Sequence, residues 1–512
     1  MTSEHLEVER KLEADDSFVL PDLGGVDGVA AVGEPEEHTL EATYFDTPDL
    51  RLLRSRVTLR RRTGGEDAGW HVKLPAAAGS RRELHEPPGR ASRTVPNVVL
   101  APVLGLLGTA SPEPVATLRT RRVVRRLLAD GGAVLAEVAD DTVLGTALAA
   151  APGEPTSVTS WREVEVELVD GDEALLDTVT ERLLAAGARV SDSPSKVGRV
   201  LAGRRGQPEV PRGKKVKRRK RPAGEVVLAA VATQLGALRE ADVAVRTEQP
   251  EGVHDLRVAC RRLRSILAAF RPVLAREGTD PLREELRWVG AQLSAARDGE
   301  VALAHLREVV AAQPVELVLG PVAARLQQTA LKDSADGART VLRALTDKRY
   351  LRLLDALDAL LADPPLTDRA GERAAPVLAD AIRRSGKRLR RGIAAAQERA
   401  GEERHTALHE VRKAGKRVRY TAEVATDVLG EPATALVSFM KEVQEALGAA
   451  QDTVVTREYA SRLGREAFAA GENAWTYGRL HGLEEARAAR SEEEFWRLEP
   501  AVRNALRSAA KS

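Results

Sequence analysis

The sequence predicts a chain of two folded parts, an α+β multidomain protein with an N-terminal antiparallel β-barrel followed by an all-α duplicated helical bundle. Three observations carry this. Up to about residue 203, short alternating segments sit between Gly/Pro-rich turns, as strands do. From residue 224 to 507, long Ala/Leu/Arg/Glu stretches carry helical spacing. Between them, residues 204–223 hold a dense basic run, with Lys214, Lys215, Lys217, Arg218, Arg219, Lys220 and Arg221. Like charges packed so closely repel and resist folding, so this is a linker, either a solvated tether or an arm that touches polyanions. A chain of 512 residues exceeds one ordinary core, and an apolar content of 43% can build two.

Composition removes several function classes. Cys260 is the sole cysteine, which excludes a disulfide framework and a thiolate metal site. Met1 to Leu12 is polar and charged, without the apolar stretch of a secretory signal, and no run is apolar enough to span a bilayer. A cytoplasmic protein without membrane partners is the expectation. The net charge of +2 conceals strong segregation, so local charge carries more information than the sum.

In the first part, charge sits on strand faces. Side chains alternate along a strand, so His5, Glu7, Glu9 and Lys11 share one face, opposite Leu6, Val8 and Leu12. Glu163, Glu165 and Glu167 line one face of a later strand, with Val164, Val166 and Leu168 on the other. Arg60 and Arg62 alternate with Arg61, His71 and Lys73 with Val72, Arg81 and Glu83 with Arg82, Arg119 and Arg121 with Thr120, and Glu137 and Asp141 with Val138. Any one strand reads as half-exposed. Together, closed into a barrel with charge inward, they make a polar tunnel. Clustered carboxylates there need a counter-charge, since a buried ion costs several kcal/mol unpaired. A divalent cation such as Mg²⁺ or Mn²⁺ suits oxygen ligands, and facing Arg and Lys suit phosphate oxygens. Metal plus cations around a phosphate chain is equipment for phosphoryl transfer to water.

The ordered set His5-x-Glu7-x-Glu9-x-Lys11, Tyr44-Phe45-Asp46-Thr47, Thr58-Leu59-Arg60-Arg61-Arg62, Trp70-x-x-Lys73-Leu74, Arg119/Arg121, Glu163-x-Glu165-x-Glu167 and Ser193-Pro194-Ser195-Lys196 resembles the CYTH domain, the triphosphate tunnel metalloenzyme family, over residues 3–203. The resemblance implies an eight-stranded antiparallel barrel and metal-dependent hydrolysis or cyclisation of triphosphates. By position it implies Glu7, Glu9 and Lys11 as catalytic residues, and Glu7, Glu9, Glu163, Glu165 and Asp141 as metal ligands. It implies Lys11, Arg60, Arg62, Lys73, Arg119, Arg121 and Lys196 as triphosphate-binding cations. Three choices stay open: Arg81 or Arg82, Asp140 or Asp141, and which two of the three late glutamates touch metal.

In the second part, residues three, four and seven apart share a helix face. His254, Arg257, Arg261 and Arg264 form one stripe; His409, Arg412, Lys416 and Arg419 form its twin, with Lys413 beside it. Each copy is followed by a matching segment, Val289 to Asp298 and Val443 to Asp452, so the unit is duplicated. Two such stripes facing one groove would hold a long linear polyanion by charge. The shortage of aromatics among them argues against nucleobase stacking and nucleic acid as partner. Residues 224–507 resemble the CHAD domain, the conserved histidine alpha-helical domain, which implies inorganic polyphosphate binding; the fusion of CYTH with CHAD is a bacterial architecture. The expected function is metal-dependent hydrolysis of inorganic triphosphate or short polyphosphate, with polyphosphate held by the helical part. The alternative is a non-catalytic polyphosphate-binding protein attached to granules or partners.

Overall fold

A computed structural model of the chain describes residues 3–65, 67–76, 80–89, 94–149, 156–204 and 221–511. The side chains of residues 3, 4, 295–297 and 511 are outside that description. So is most of the basic linker, since residues 205–220 are not described. The chain divides into two compact units, Met1–Pro208 and Glu209–Ser512.

The first unit is a curled antiparallel sheet. Its strands are β1 (Ser3–Glu7), β2 (Glu9–Ala14), β3 (Ala31–Val32), β4 (Glu36–Asp46), β5 (Thr58–Thr63), β6 (Gly69–Pro75), β7 (Arg81–Glu86), β8 (Glu113–Leu128), β9 (Val134–Ala147), β10 (Ser157–Leu168) and β11 (Arg189–Val190). The order is β1-β7-β6-β5-β4-β8-β9-β10-β2-β11, with β3 on β8. β1 and β2 are separated by Val8 alone, yet they take opposite ends of the sheet. His5 pairs with Glu83 on β7, and Lys11 pairs with Glu165 on β10. The Val8 carbonyl accepts the Leu168 N–H at 3.0 Å, so the break stays bonded. One N-terminal stretch therefore bridges β7 and β10 and curls the sheet round, leaving the two-residue β11 beyond β2 as a short edge.

Short helices brace this sheet: α1 (Arg51–Arg54), α2 (Asn97–Leu100), α3 (Leu104–Leu107), α4 (Glu173–Ala185) and α5 (Lys196–Val200). The outer faces of β2, β9 and β10 bury Leu12, Val138, Val164 and Val166 against Leu176, Val179 and Leu183 of α4. Asp172 caps α4 by accepting the Leu175 N–H at 2.9 Å, an interaction worth about 1 kcal/mol. α5 is seated by Val197 and Val200 against Val143 and Trp161. Gly145 makes room for it: a Cβ there would lie 2.4 Å from Val200 Cγ2. Close approach, not flexibility, requires that glycine.

The second unit is all helix: α6 (Ala223–Arg246), α7 (Gly252–Ala269), α8 (Arg276–Ala311), α9 (Val322–Thr346), α10 (Lys348–Ala362), α11 (Ala374–Gln397), α12 (Gly401–Leu429), α13 (Glu431–Ala469) and α14 (Trp475–Lys511). The duplicated segments occupy equivalent places: α6, α7 and α8 pack in series, as do α11, α12 and α13, and α7 meets α12 while α8 meets α13. Leu256, Leu263, Val411 and Val418, the apolar residues of the striped helices, are fully buried. Among the described residues, no helix is long and apolar enough to cross a membrane.

Candidate functional site

Side chains directly opposite across a strand pair point to the same face. Asp141 on β9 lies opposite Glu163 on β10, Arg122 on β8 lies opposite Asp141, and Lys11 on β2 lies opposite Glu165. The register thus gathers four strands' charges on the concave face. They surround a cavity of about 420 Å³ lined also by Glu7, Glu9, Tyr44, Arg60, Arg62, Lys73, Arg81, Glu83, Arg126, Glu137, Glu167 and Lys196.

The contacts are tight and mixed in sign. Lys11 Nζ stands 2.5 Å from Glu165 Oε1 and 3.2 Å from Glu9 Oε2. Lys73 Nζ donates to both oxygens of Glu7 at 2.6 and 2.7 Å. Arg122 donates to both oxygens of Asp141 at 2.8 and 2.6 Å, and to Glu165 Oε2 at 2.5 Å. Lys196 Nζ lies 2.5 Å from Glu163, 2.6 Å from Glu165 and 3.1 Å from Asp141. Trp161 Nε1 donates to Glu163 Oε2 at 2.6 Å.

These pairings decide protonation. Burial would raise the Glu165 carboxyl, but Lys11, Lys196 and Arg122 hold it well below the usual range. Burial would lower Lys196, but Glu165, Asp141 and Glu163 hold it above the ordinary lysine value. On the other flank, burial and the neighbouring Glu83 raise Glu7 against the pull of Lys73. Glu83 is held low, against burial, by the His71 hydrogen bond and Lys73. Burial pushes His71 itself down to about 4. Burial and the like charges of Arg60 and Arg122 push Arg62 down to about 9, although Asp67 pairs with it.

Most of the sequence-predicted cavity residues line it: Glu7, Glu9, Lys11, Arg60, Arg62, Lys73, Glu165 and Lys196. Glu163 and Asp141 are buried beside it. Arg119 and Arg121 do not line it. Both are exposed on the convex face, where Arg119 faces Glu41 at 3.9 Å and Arg121 binds both oxygens of Glu37 at 2.7 Å. The inward residues of β8 are Leu118, Thr120, Arg122, Val124 and Arg126. The adjacent pair Arg121-Arg122 offers both parities, and only the register against Asp141 chooses between them. Of the open choices, Asp141 turns inward while Asp140 binds Arg162 outside at 2.9 and 2.8 Å. Arg81, not Arg82, lines the cavity, donating to the Pro194 carbonyl. Arg122 and Arg126 are the residues that sequence reasoning passed over.

Asp141, Glu163 and Glu165 each offer an oxygen, and the three lie within 4.8 Å of one another. Glu163 Oε1 is buried without a hydrogen-bond partner among the described residues, although the Lys196 ammonium is near. An all-carboxylate set of oxygens this close together fits a hard divalent cation. Glu7 and Glu9 stand outside this trio, each held by a lysine.

The helical unit contains a separate groove of about 910 Å³. α7 contributes His254, Arg257 and Arg261; α12 contributes His409, Arg412, Lys416 and Arg419. Arg264 and Lys413 are not among its lining: Arg264 faces the charges of Arg283 and Arg287, and Lys413 is exposed and bound to Glu410 at 2.7 Å. α8 and α14, outside both stripes, add His305 and Arg487, which converge on the buried Glu484 at 2.8 and 3.1 Å. Arg257 reaches Asp298 at 2.8 Å. Lys416 has no carboxylate at ion-pair distance among the described residues; burial and the charges of Arg412, Arg261 and Arg419 push it down to about 7. His409 is lowered by burial and Lys413. Cations here outnumber their partners.

Comparison with known proteins agrees with this division. A CYTH domain model matches residues 5–199 and a CHAD domain model residues 229–461. The uncharacterized protein Rv2226 of Mycobacterium tuberculosis is 38% identical over 99% of this chain and 98% of its own. Thiamine-triphosphatase of Homo sapiens is 41% identical over 76 residues, which is 14% of this chain and 29% of that protein. The CHAD domain from the plant Ricinus communis is 25% identical, covering 56% of this chain and 93% of that structure at a TM-score of 0.42. The chain belongs to the family of proteins that join a CYTH domain to a CHAD domain.

Proposed function

We propose that the cavity of the first unit hydrolyses inorganic triphosphate or short polyphosphate with a divalent metal, and that the helical groove binds polyphosphate. The observation that carries the reading is the meeting of buried Asp141, Glu163 and Glu165 with Lys11, Arg122 and Lys196, drawn from separate strands and a helix around one cavity of about 420 Å³. The CYTH match and the likeness to thiamine-triphosphatases support a triphosphatase-type reaction.

Arg60, Arg62, Lys73, Arg122 and Arg126 would grip the non-bridging oxygens and hold the chain in line, Arg in forks and Lys as point charges. The trio Asp141, Glu163 and Glu165 would hold Mg²⁺ or Mn²⁺, with Glu9 beside it. When bound, such an ion supplies charge stabilisation at the phosphoryl oxygens. Glu7 and Glu9, on the strand that joins both ends of the sheet, would orient the attacking water and take its proton. The His71–Glu83 bond at 2.7 Å would fix Glu83 against Arg60 and Lys73. Substrate and water are thereby brought into near-attack geometry in a partly desolvated site.

Phosphate release from tripolyphosphate, thiamine triphosphate and ATP, each with Mg²⁺ and with Mn²⁺, tests this. Metal-dependent release that is lost in Glu165→Gln supports hydrolysis. Absence of release from every substrate with either metal would leave the non-catalytic polyphosphate binder as the better reading.

A further inference from the structure

Lys196 occupies an unusual place for a substrate-binding cation. Its ammonium lies at the centre of the carboxylate trio, 2.5, 2.6 and 3.1 Å from Glu163, Glu165 and Asp141. The oxygens of that trio are themselves within 4.8 Å of one another. A divalent ion coordinated by them at about 2.0–2.2 Å would fall on the same spot. Two cations of net charge three cannot share it. The ammonium meets Glu163 Oε1 directly, so it fills the place a metal would take.

We propose that Lys196 is a tethered stand-in for the metal, which must leave the carboxylate cage before a divalent ion enters and which is drawn out by the phosphate chain. The inference rests on the reading of the cavity as a metal-dependent triphosphate site. The anatomy permits the exchange. α5 is fixed by Val197 and Val200 in the core, and Ser195 caps it by accepting the Gly198 N–H at 3.1 Å. Only the lysine stem has to swing, and four methylenes suffice for a shift of several ångströms. Lys11 and Arg122 approach Glu165 and Asp141 from the flanking strands β2 and β8. A phosphate oxygen would replace the carboxylates that Lys196 gives up, while the metal replaces Lys196. Each ligand then removes the obstacle to the other, so their affinities rise together and by the same factor.

The test is titration of the full-length protein with Mn²⁺ by calorimetry, with and without an imido-bridged triphosphate analogue that resists hydrolysis. In the wild type the analogue should tighten Mn²⁺ binding by roughly tenfold or more, within the usual range of coupling energies. Lys196→Met and Lys196→Gln should each bind Mn²⁺ alone more tightly than wild type, and the analogue should add little. A thermal-shift series runs in parallel: the variants should gain more from Mn²⁺ alone than the wild type does. Should one variant fail to fold, the other still decides. Mn²⁺ binding in the wild type that ignores the analogue overturns the inference while leaving the metal site intact. Mn²⁺ bound no tighter by the variants than by wild type overturns it as well. No Mn²⁺ binding by any form, with or without the analogue, removes the metal reading itself and the inference with it.

Discussion

Replacing Arg122 and Arg121 one at a time by Ala separates the inward from the outward face of β8. Arg122 makes three hydrogen bonds of 2.5 to 2.8 Å to Asp141 and Glu165. Asp141 is 0% exposed, so its charge depends on the partners it has inside the protein. Removing one partner of a buried pair costs about 3–5 kcal/mol. Lys196 also touches both carboxylates, which puts Arg122→Ala at the lower end, about 3 kcal/mol. Arg121 and Glu37 are more than half exposed on the outer face, where such a pair is worth about 0.2–1 kcal/mol. Urea unfolding of each variant reads the difference, and phosphate release from tripolyphosphate reads its consequence. Arg122→Ala should lose stability and turnover together, and Mn²⁺ should return part of the stability by neutralising the exposed carboxylates. Arg121→Ala should resemble wild type in both. Equal losses in the two variants, or a larger loss in Arg121→Ala, would refute the assignment of faces.

Three further outcomes are expected. Gly145→Val places bulk where a Cβ already meets Val200 at 2.4 Å, so α5 must shift; turnover should fall at least tenfold with Lys196 displaced, whereas Gly236→Ala, in open space on α6 and without a left-handed backbone, should leave the fold and its neighbours in place, as circular dichroism and an activity assay would show. Lys416, pushed down to about 7, binds fewer protons folded than unfolded between about pH 7 and 10.5, so its contribution to stability improves as pH rises through that window and is least favourable below it. A bound polyanion restores the charge; calorimetry in two buffers of different ionisation heat at pH 8 should therefore show proton uptake on polyphosphate binding, absent in Lys416→Met. Finally, reversing Arg257 and Arg412 together to Glu should weaken polyphosphate binding in a filter or fluorescence assay without altering triphosphate turnover, and unchanged binding would count against the groove.

How much was legible depended on whether a residue's face is decided locally. His5, Glu7, Glu9 and Lys11 alternate strictly, and all four line the cavity. That same alternation runs through Val8 unaltered, so the sequence carried no sign that the strand changes partners there from β7 to β10. On β8 the run Arg119, Arg121, Arg122 allows either parity. The choice lies in pairing with β9, and long-range register is what one strand's pattern does not contain. The helical stripes were visible because a repeat displayed them twice. His305 and Arg487 come from single-copy positions on α8 and α14 and reach the groove only through packing around Glu484. Arg264 follows the heptad-like spacing of its stripe, yet a helix of 18 residues carries it past the end of the groove to Arg283 and Arg287.

The two basic sites differ in a way that bears on what each can do. In the tunnel, Lys11, Arg122 and Lys196 are matched against Asp141, Glu163 and Glu165, all at contact distance. A phosphate chain entering alone would take cations from largely buried carboxylates, and the desolvation cost of those carboxylates opposes it. Entry is favourable when positive charge arrives with the anion, which is the condition a metal-dependent reaction needs and a simple binding site does not. In the groove, Lys416 has no carboxylate at ion-pair distance among the described residues, and Arg412 and His409 are depressed mainly by burial. There an anion relieves repulsion the moment it binds, and no second ligand is required. On the proposed function, charge balance, rather than the number of cations, would suit one site to turning over a phosphate chain and the other to keeping hold of it.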